Sequence, residues 1–262
     1  MNRPRAAHLA LGVVGAATLL ALVILPITSL VVRAPWSDAL DLLGEPANRT
    51  ALRLSLVVSL WSLVLCVGLG LPVAWLLARV PFPGRRLVRA LVTLPMVVPP
   101  VVGGVALLVA FGRRGLIGRW LDQWFDVQLP YTTAAAVLAA TFVSLPFFVV
   151  TVEAALRGLD PRHEEAARTL GARPATVLRR VTLPSIKGAL AAGAALSWAR
   201  ALGEFGATIT FAGSFQGRTE TMPLAISAAL DSDVRVAMVL SLALLAISVA
   251  VLAGLRDRWL GT

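Results

Sequence analysis

Arg200 and Glu204 stand four residues apart in an otherwise apolar stretch, Ser197-Trp-Ala-Arg-Ala-Leu-Gly-Glu-Phe-Gly-Ala-Thr-Ile-Thr-Phe-Ala-Gly-Ser214. On a helix, residues at that spacing face the same side. A charge at membrane depth costs about 2.5–3.5 kcal/mol or more, so the two residues need each other or a wet cavity. One reading is a self-neutralising pair that fixes helix packing. The other is direct contact with a solute. Gly203, Gly206 and Gly213 loosen the helix beyond the pair, and Thr208, Thr210 and Ser214 add hydroxyl donors to an apolar wall. Hydroxyls and freed backbone N–H groups can stabilise an anion without trapping it, whereas a ring of arginines would hold it too tightly to release. The competing role for these hydroxyls is back-bonding to helix carbonyls.

Several enzymatic chemistries find no residues here. The chain's single lysine, Lys187, lies between Ile186 and Gly188, so no phosphate-binding loop of the Gly-x-x-x-x-Gly-Lys-Ser/Thr type is present. His8, His163 and Cys66 are scattered, which suggests no zinc site. No Gly-x-Ser-x-Gly turn occurs. A membrane-embedded hydrolase built on Glu204 remains an alternative, and partner-free hydrolysis by the purified chain would favour it.

The longest strongly charged segment is Asp160–Pro184, DPRHEEAARTLGARPATVLRRVTLP. Asp160 can cap a helix that Pro161 begins, and Glu164 and Glu165 suit its early turns. Gly171 is placed to end that helix in a left-handed conformation. Pro174 can start a second short helix, and Pro184 is expected to close the unit. Ala166, Ala167 and Leu170 share a face small enough for close approach by another surface. So short a helix is marginal alone in water and is expected to dock on something.

The remaining elements follow from composition. With 262 residues, 58% of them hydrophobic, and a mean hydropathy of +0.82, the chain reads as an all-α, multi-pass membrane protein. The one cysteine excludes an intrachain disulfide framework. Six spans are expected, near 9–32, 54–77, 88–111, 132–152, 185–211 and 234–255. The first could be read as a signal peptide, but its apolar run exceeds the usual ~7–15 residues, which favours a retained helix. With six spans, fifteen basic and five acidic residues fall on the side of the termini, against eight and eight on the other. The basic side is cytoplasmic by the positive-inside rule, which places both termini and the 157–187 loop there. The net charge of +10 is thus a matter of topology, and nucleic acid is not an expected partner. Trp36, Trp120, Trp124 and Trp259 fall near span ends, as in an aromatic belt. Broken backbone at 95–104, with Pro99 and Pro100 at its centre, reads either as kinked packing or as the wall of a pathway.

The charged loop resembles that of ABC importer permeases, whose pattern is Glu-Ala-Ala, three residues, Gly, nine residues, Ile, one residue, Leu-Pro. Glu165-Ala166-Ala167, Gly171, Val181 and Leu183-Pro184 occupy those spacings, with Val181 in place of Ile. An ordinary linker between membrane helices is the competing reading. The resemblance implies a coupling helix that fits a groove on an ATP-hydrolysing subunit through Glu164, Glu165, Ala166, Ala167, Leu170, Gly171, Leu183 and Pro184. The 200–213 segment, with Gly217-Arg218-Thr219 and Met222-Pro-Leu-Ala-Ile226, resembles permeases of molybdate ABC transporters. Sulfate and thiosulfate permeases are similar in the Gly-Glu-Phe/Tyr-Gly part, and they remain the alternative.

The resemblance covers about 48–255 and implies a type I ABC importer permease fold in the inner (plasma) membrane. On this reading residues 1–47 are an added helix and external loop, 48–255 the permease core, and 256–262 a cytoplasmic tail. The implied partners are a second copy of the chain, two ABC ATPase subunits and a periplasmic or extracellular oxyanion-binding protein. The solute is molybdate, with tungstate as a variant. The chain itself is expected to hold no cofactor and no metal and to be no enzyme, ATP and Mg residing on the partner subunit. The candidate pathway residues are Pro99, Pro100, Arg200, Glu204, Thr208, Thr210 and Ser214.

Overall fold

The computed structural model describes residues 3–259, and every regular element among them is helical. In chain order these are α1 (Arg3–Arg33), α2 (Ala39–Gly44), α3 (Pro46–Arg79), α4 (Arg85–Val97), α5 (Pro100–Phe111), α6 (Gly118–Phe125) and α7 (Thr133–Gly158). They continue with α8 (Arg162–Thr169), α9 (Pro174–Val177), a π-helical turn Leu178–Thr182, α10 (Leu183–Ser185), α11 (Lys187–Leu202), α12 (Gly206–Phe211), α13 (Met222–Ser232) and α14 (Val234–Trp259).

Among the described residues four helices are long and apolar enough to cross a membrane unaided, and they cover Gly12–Arg33, Pro46–Arg79, Thr133–Gly158 and Val234–Val251. The expected third span is not straight. It is the pair α4 and α5, bent by 118° at Val98-Pro99, and counted together they make a fifth. The cause is local, since neither Pro99 nor Pro100 has an N–H to continue the ladder, and the residue before a proline is pushed to extended backbone. Val98 and Pro99 sit at ψ 130° and 132°. The expected fifth span is likewise two pieces, α11 and α12, parted at Gly203–Phe205. The six-span count is therefore reached only when both broken pairs are counted as spans. The polar 33–53 region is largely helical, with α3 starting at Pro46, eight residues ahead of the expected boundary. Trp36, Trp120 and Trp124 are exposed, as a belt at the membrane interface requires, and the side chain of Trp259 lies outside the described residues.

The core is the packing of α3 and α11 on α7. Small residues bring α3 and α7 together, as expected where lipid offers no hydrophobic drive between helices. Ser62 Oγ and Cys66 Sγ each lie 3.2 Å from Ser144 Oγ. A Cβ on Gly70 would sit 2.7 Å from the Phe148 ring. Hydrogen bonds and ion pairs sort the connections into two ends. Arg235 pairs with Asp38 at 2.9 Å, Thr133 Oγ1 donates to the Arg218 carbonyl, and Tyr131 N–H to that of Phe211. These contacts join the 33–45, 112–133 and 211–235 regions. At the arginine-rich end, Arg79 meets Glu164, Arg85 donates to the Ala78 carbonyl, and Arg89 and Arg157 both grip Glu153.

Candidate functional site

Two regions hold the residues singled out by sequence. The first is α8 at the arginine-rich end. Asp160 Oδ1 accepts from the Arg162 N–H at 3.0 Å, so it caps the helix one residue from the expected frame. Gly171 follows α8 at φ +81°, with nothing within 4 Å of a Cβ built there. A side chain at that position would be opposed by backbone strain, not by crowding. Pro174 opens α9 as expected. Pro184 does not close the unit, because it lies in the first turn of α10, where a missing N–H is harmless, and the chain runs on to α11.

The two glutamates of α8 point opposite ways. Glu165 is exposed, as are Arg162, Ala166 and Thr169, and Leu170 is 88% exposed. Ala167 is half-buried. An 88% exposed leucine beside an exposed alanine, on a short helix at a chain bend, is a surface that nothing among the described residues covers. Glu164 instead turns inward and is buried. Its Oε1 receives the Arg79 guanidinium at 3.1 Å and the Thr182 hydroxyl at 2.9 Å, and its Oε2 lies 3.5 Å from Arg168. Leu183 is half-buried and Pro184 exposed. Arg79 and Thr182 were not singled out from the sequence. Arg79 lies 85 residues before its partner, so no local spacing signals the pair.

The second region is the break between α11 and α12. Arg200 Nη2 lies 2.7 Å from Glu204 Oε2, and Glu204 is nearly inaccessible while the Arg200 side chain is 26% exposed. The contact is an ion pair without an aligned N–H, since Oε2 has no hydrogen-bond partner. The other carboxylate oxygen accepts from the Ala207 N–H at 2.7 Å. Glu204 thus both neutralises Arg200 and caps α12, which favours the packing role for the pair.

The broken backbones meet here. A Cβ on Gly206 would lie 2.9 Å from Pro100, and one on Gly104 would lie 2.7 Å from Thr210 Cβ and 2.8 Å from the Ala207 carbonyl. Glycine on both sides is what lets α5 lie against α12. Thr210 Oγ1 donates to the Gly206 carbonyl, the back-bonded role. Thr208 is buried, while Pro99 and Pro100 are exposed. Ser214 stands apart on the connection to α13, with its hydroxyl 3.3 Å from Glu220 Oε2. Of the candidate pathway residues, Pro99, Pro100, Arg200, Glu204, Thr208 and Thr210 cluster around the two breaks, and Ser214 does not join them.

Residues 70–261 match the family model described as "Binding-protein-dependent transport system inner membrane component". The chain is 47% identical over 236 residues to the "Molybdenum transport system permease protein ModB" of Mycobacterium tuberculosis, covering 90% of this chain and 89% of that one. It is 42% identical over 182 residues to the "Sulfate transport system permease protein CysW" of a Synechocystis species, covering 70% and 66% of the two chains. Its fold is similar to a chain in the crystal structure of a bacterial ABC transporter involved in the import of alginate, with TM-score 0.76, 16% identity and coverage of 98% and 95%.

Proposed function

As this chain belongs to the family of binding-protein-dependent transport system inner membrane components, we propose that it is the translocation subunit of an ABC importer for molybdate. The observation that carries the solute is the 47% identity, over nine-tenths of the chain, to a permease named for molybdenum transport. The sulfate reading is favoured less, because the sulfate permeases are 38–42% identical over 70–78% of this chain, short of 47% over 90%.

In the proposed assembly two copies pack around a central pathway, with both broken pairs counted as spans and the termini and α8 in the cytoplasm. Two ATPase subunits dock on the α8 surfaces through Glu165, Ala166, Leu170 and Gly171, supply the ATP and Mg chemistry, and push. A binding protein delivers the anion at the opposite end. ATP-driven closure of the ATPases moves the α8 helices inward and turns the spans, and hydrolysis reverses the motion. The ATPase states must bind α8 differently, since only differential contacts can shift the permease between its forms. Beside the pathway, a Glu204 carboxylate that neutralises Arg200 keeps a fixed cation from holding the oxyanion, so freed backbone groups at the α11–α12 break pass it on.

The test is uptake into proteoliposomes holding this chain, its ATPase and its binding protein. ATP-dependent molybdate accumulation that tungstate competes against and sulfate does not is the expected result. Sulfate uptake under the same conditions with no molybdate uptake would transfer the chain to the other solute class.

A further inference from the structure

The two ends of Glu164's network belong to different parts of the machine, and this sets a role for Arg79. Among the described residues, the side-chain hydrogen bonds and ion pairs that leave α8 for another element all end on Glu164, from Arg79 on α3 and from Thr182 in the π-helical turn. Beside this contact α8 and the stretch that follows are not packed flat on α3. A cavity of about 640 Å³ lies between them, lined by Leu71, Trp75 and Leu76 on one side and by Val177, Leu178 and Leu183 on the other. α8 itself packs on α9 and the π-helical turn, and the ion pair is its side-chain tie to α3 across the gap.

The tie also suits its helices. Arg79 is the last residue of α3, where the helix end favours a cation, and Glu164 lies in the first turn of α8, where it favours an anion. Only 19% of the Arg79 side chain and 9% of Glu164's is exposed, which shields the pair from solvent screening. The grip is single. Arg79 Nη2 reaches Oε1, while the buried Nε has no partner. Guanidinium and carboxylate favour a fork-to-fork closure, which this single contact leaves unused. π-Helical turns, where Thr182 sits, recur at functional sites.

We infer that Glu164 and Arg79 form a clasp that converts displacement of the docking helix into movement of α3, with Thr182 steering the carboxylate. Arg79 and Thr182 are positioning residues. They touch neither the proposed ATPase nor the solute. The inference rests on the permease reading and assigns the exposed Glu165 and the buried Glu164 to different tasks, docking and transmission.

The experiment uses the intact complex of this chain with its ATPase in nanodiscs, with loaded binding protein added. Its readouts are ATPase recovered per permease and the ratio of stimulated to basal ATP hydrolysis. Arg79→Ala and Glu164→Arg are each expected to retain the ATPase at wild-type stoichiometry and to lower the ratio about tenfold, the scale of a typical coupling energy. The exchanged double variant Arg79→Glu/Glu164→Arg is expected to recover the ratio to within about threefold of wild type. Thr182→Val, a change too small to unfold the loop, is expected to lower the ratio by roughly threefold, the loss of one hydrogen bond to a charged group being partial.

An unchanged ratio in Arg79→Ala or in Thr182→Val overturns the clasp, and so does a double variant no better than the singles. Loss of the ATPase from Arg79→Ala would move Arg79 into the docking surface and overturn it too. A wild-type chain that retains no ATPase at all sinks the permease reading instead, so the two failures are distinguishable.

Discussion

Removing one member of the Arg200–Glu204 pair separates its packing role from an anion-binding role. The Glu204 carboxylate does two jobs, the ion pair at 2.7 Å and the cap on Ala207 N–H at 2.7 Å. Glu204→Ala loses both. A lost cap costs about 1 kcal/mol. Orphaning a buried charge costs about 3–5 kcal/mol, and with Arg200 26% exposed the lower end applies. The total of about 4 kcal/mol corresponds to roughly 8–16 °C in apparent melting temperature at about 2–4 °C per kcal/mol. Glu204→Gln keeps an oxygen for the Ala207 N–H and spares the cap, so it should melt roughly 2–4 °C above the alanine variant. Arg200→Met leaves the nearly inaccessible carboxylate alone, so the double variant Arg200→Met/Glu204→Gln should be more stable than Arg200→Met. The assay is thermal unfolding in detergent at one fixed scan rate, with ranks compared because membrane proteins unfold irreversibly. Wild-type melting of Arg200→Met, together with abolished uptake, would refute the packing role and place the arginine on the anion's path.

Leu170→Asp should leave melting within about 0.5 kcal/mol of wild type, since the site is exposed, yet lose the co-purified ATPase. Glu165→Arg should likewise abolish transport, as should Gly171→Val, where a β-branched residue must take φ +81° at about 1–3 kcal/mol of local strain; co-purification of the ATPase at wild-type yield would count against both. Gly104→Ala should destabilise by about 1–3 kcal/mol, because its methyl group meets Thr210 and the Ala207 carbonyl, and melting of the purified variant reads this out. In the α5–α7 connection, hydrogen bonds from Gln128 and then Arg113 hold the Asp122 carboxyl below its ordinary range. A lowered folded value gives stability that is present at neutral pH and lost as pH falls through that value. Hydrogen exchange over residues 113–128 should therefore be faster in Asp122→Asn than in wild type at pH 7, with the difference shrinking as pH falls below the ordinary carboxylate range.

Much of the fold was legible because membrane insertion writes itself into composition. Long apolar runs and the arginine bias give α1, α3, α7 and α14 almost directly. Helix α8 was legible for another reason: its caps and Gly171 are local signals that need no partner. The bends were harder. Pro99-Pro100 announces a break, but its 118° angle depends on how α5 lies against α12, a contact about 100 residues distant in the chain. The opposite directions of Glu164 and Glu165 were also hidden, because adjacent helical residues look alike in sequence until Arg79 and Thr182 arrive beside one of them. Ser214 follows the hydroxyl series in the chain, but Gly213 at φ +70° turns the backbone there, and its hydroxyl lies beside Glu220.

The claim on which the account depends is that α8 is gripped from outside by a separate ATPase. The chain's one cysteine, Cys66, is buried, so Leu170→Cys introduces a single accessible thiol without further engineering. In inverted membrane vesicles carrying the whole complex, with binding protein and molybdate in the lumen, a short bifunctional thiol reagent should join residue 170 to the ATPase, and the joined complex should stop moving molybdate out of the lumen. A thiol at 170 that reacts only with lipid-phase reagents and never with the ATPase would contradict the account.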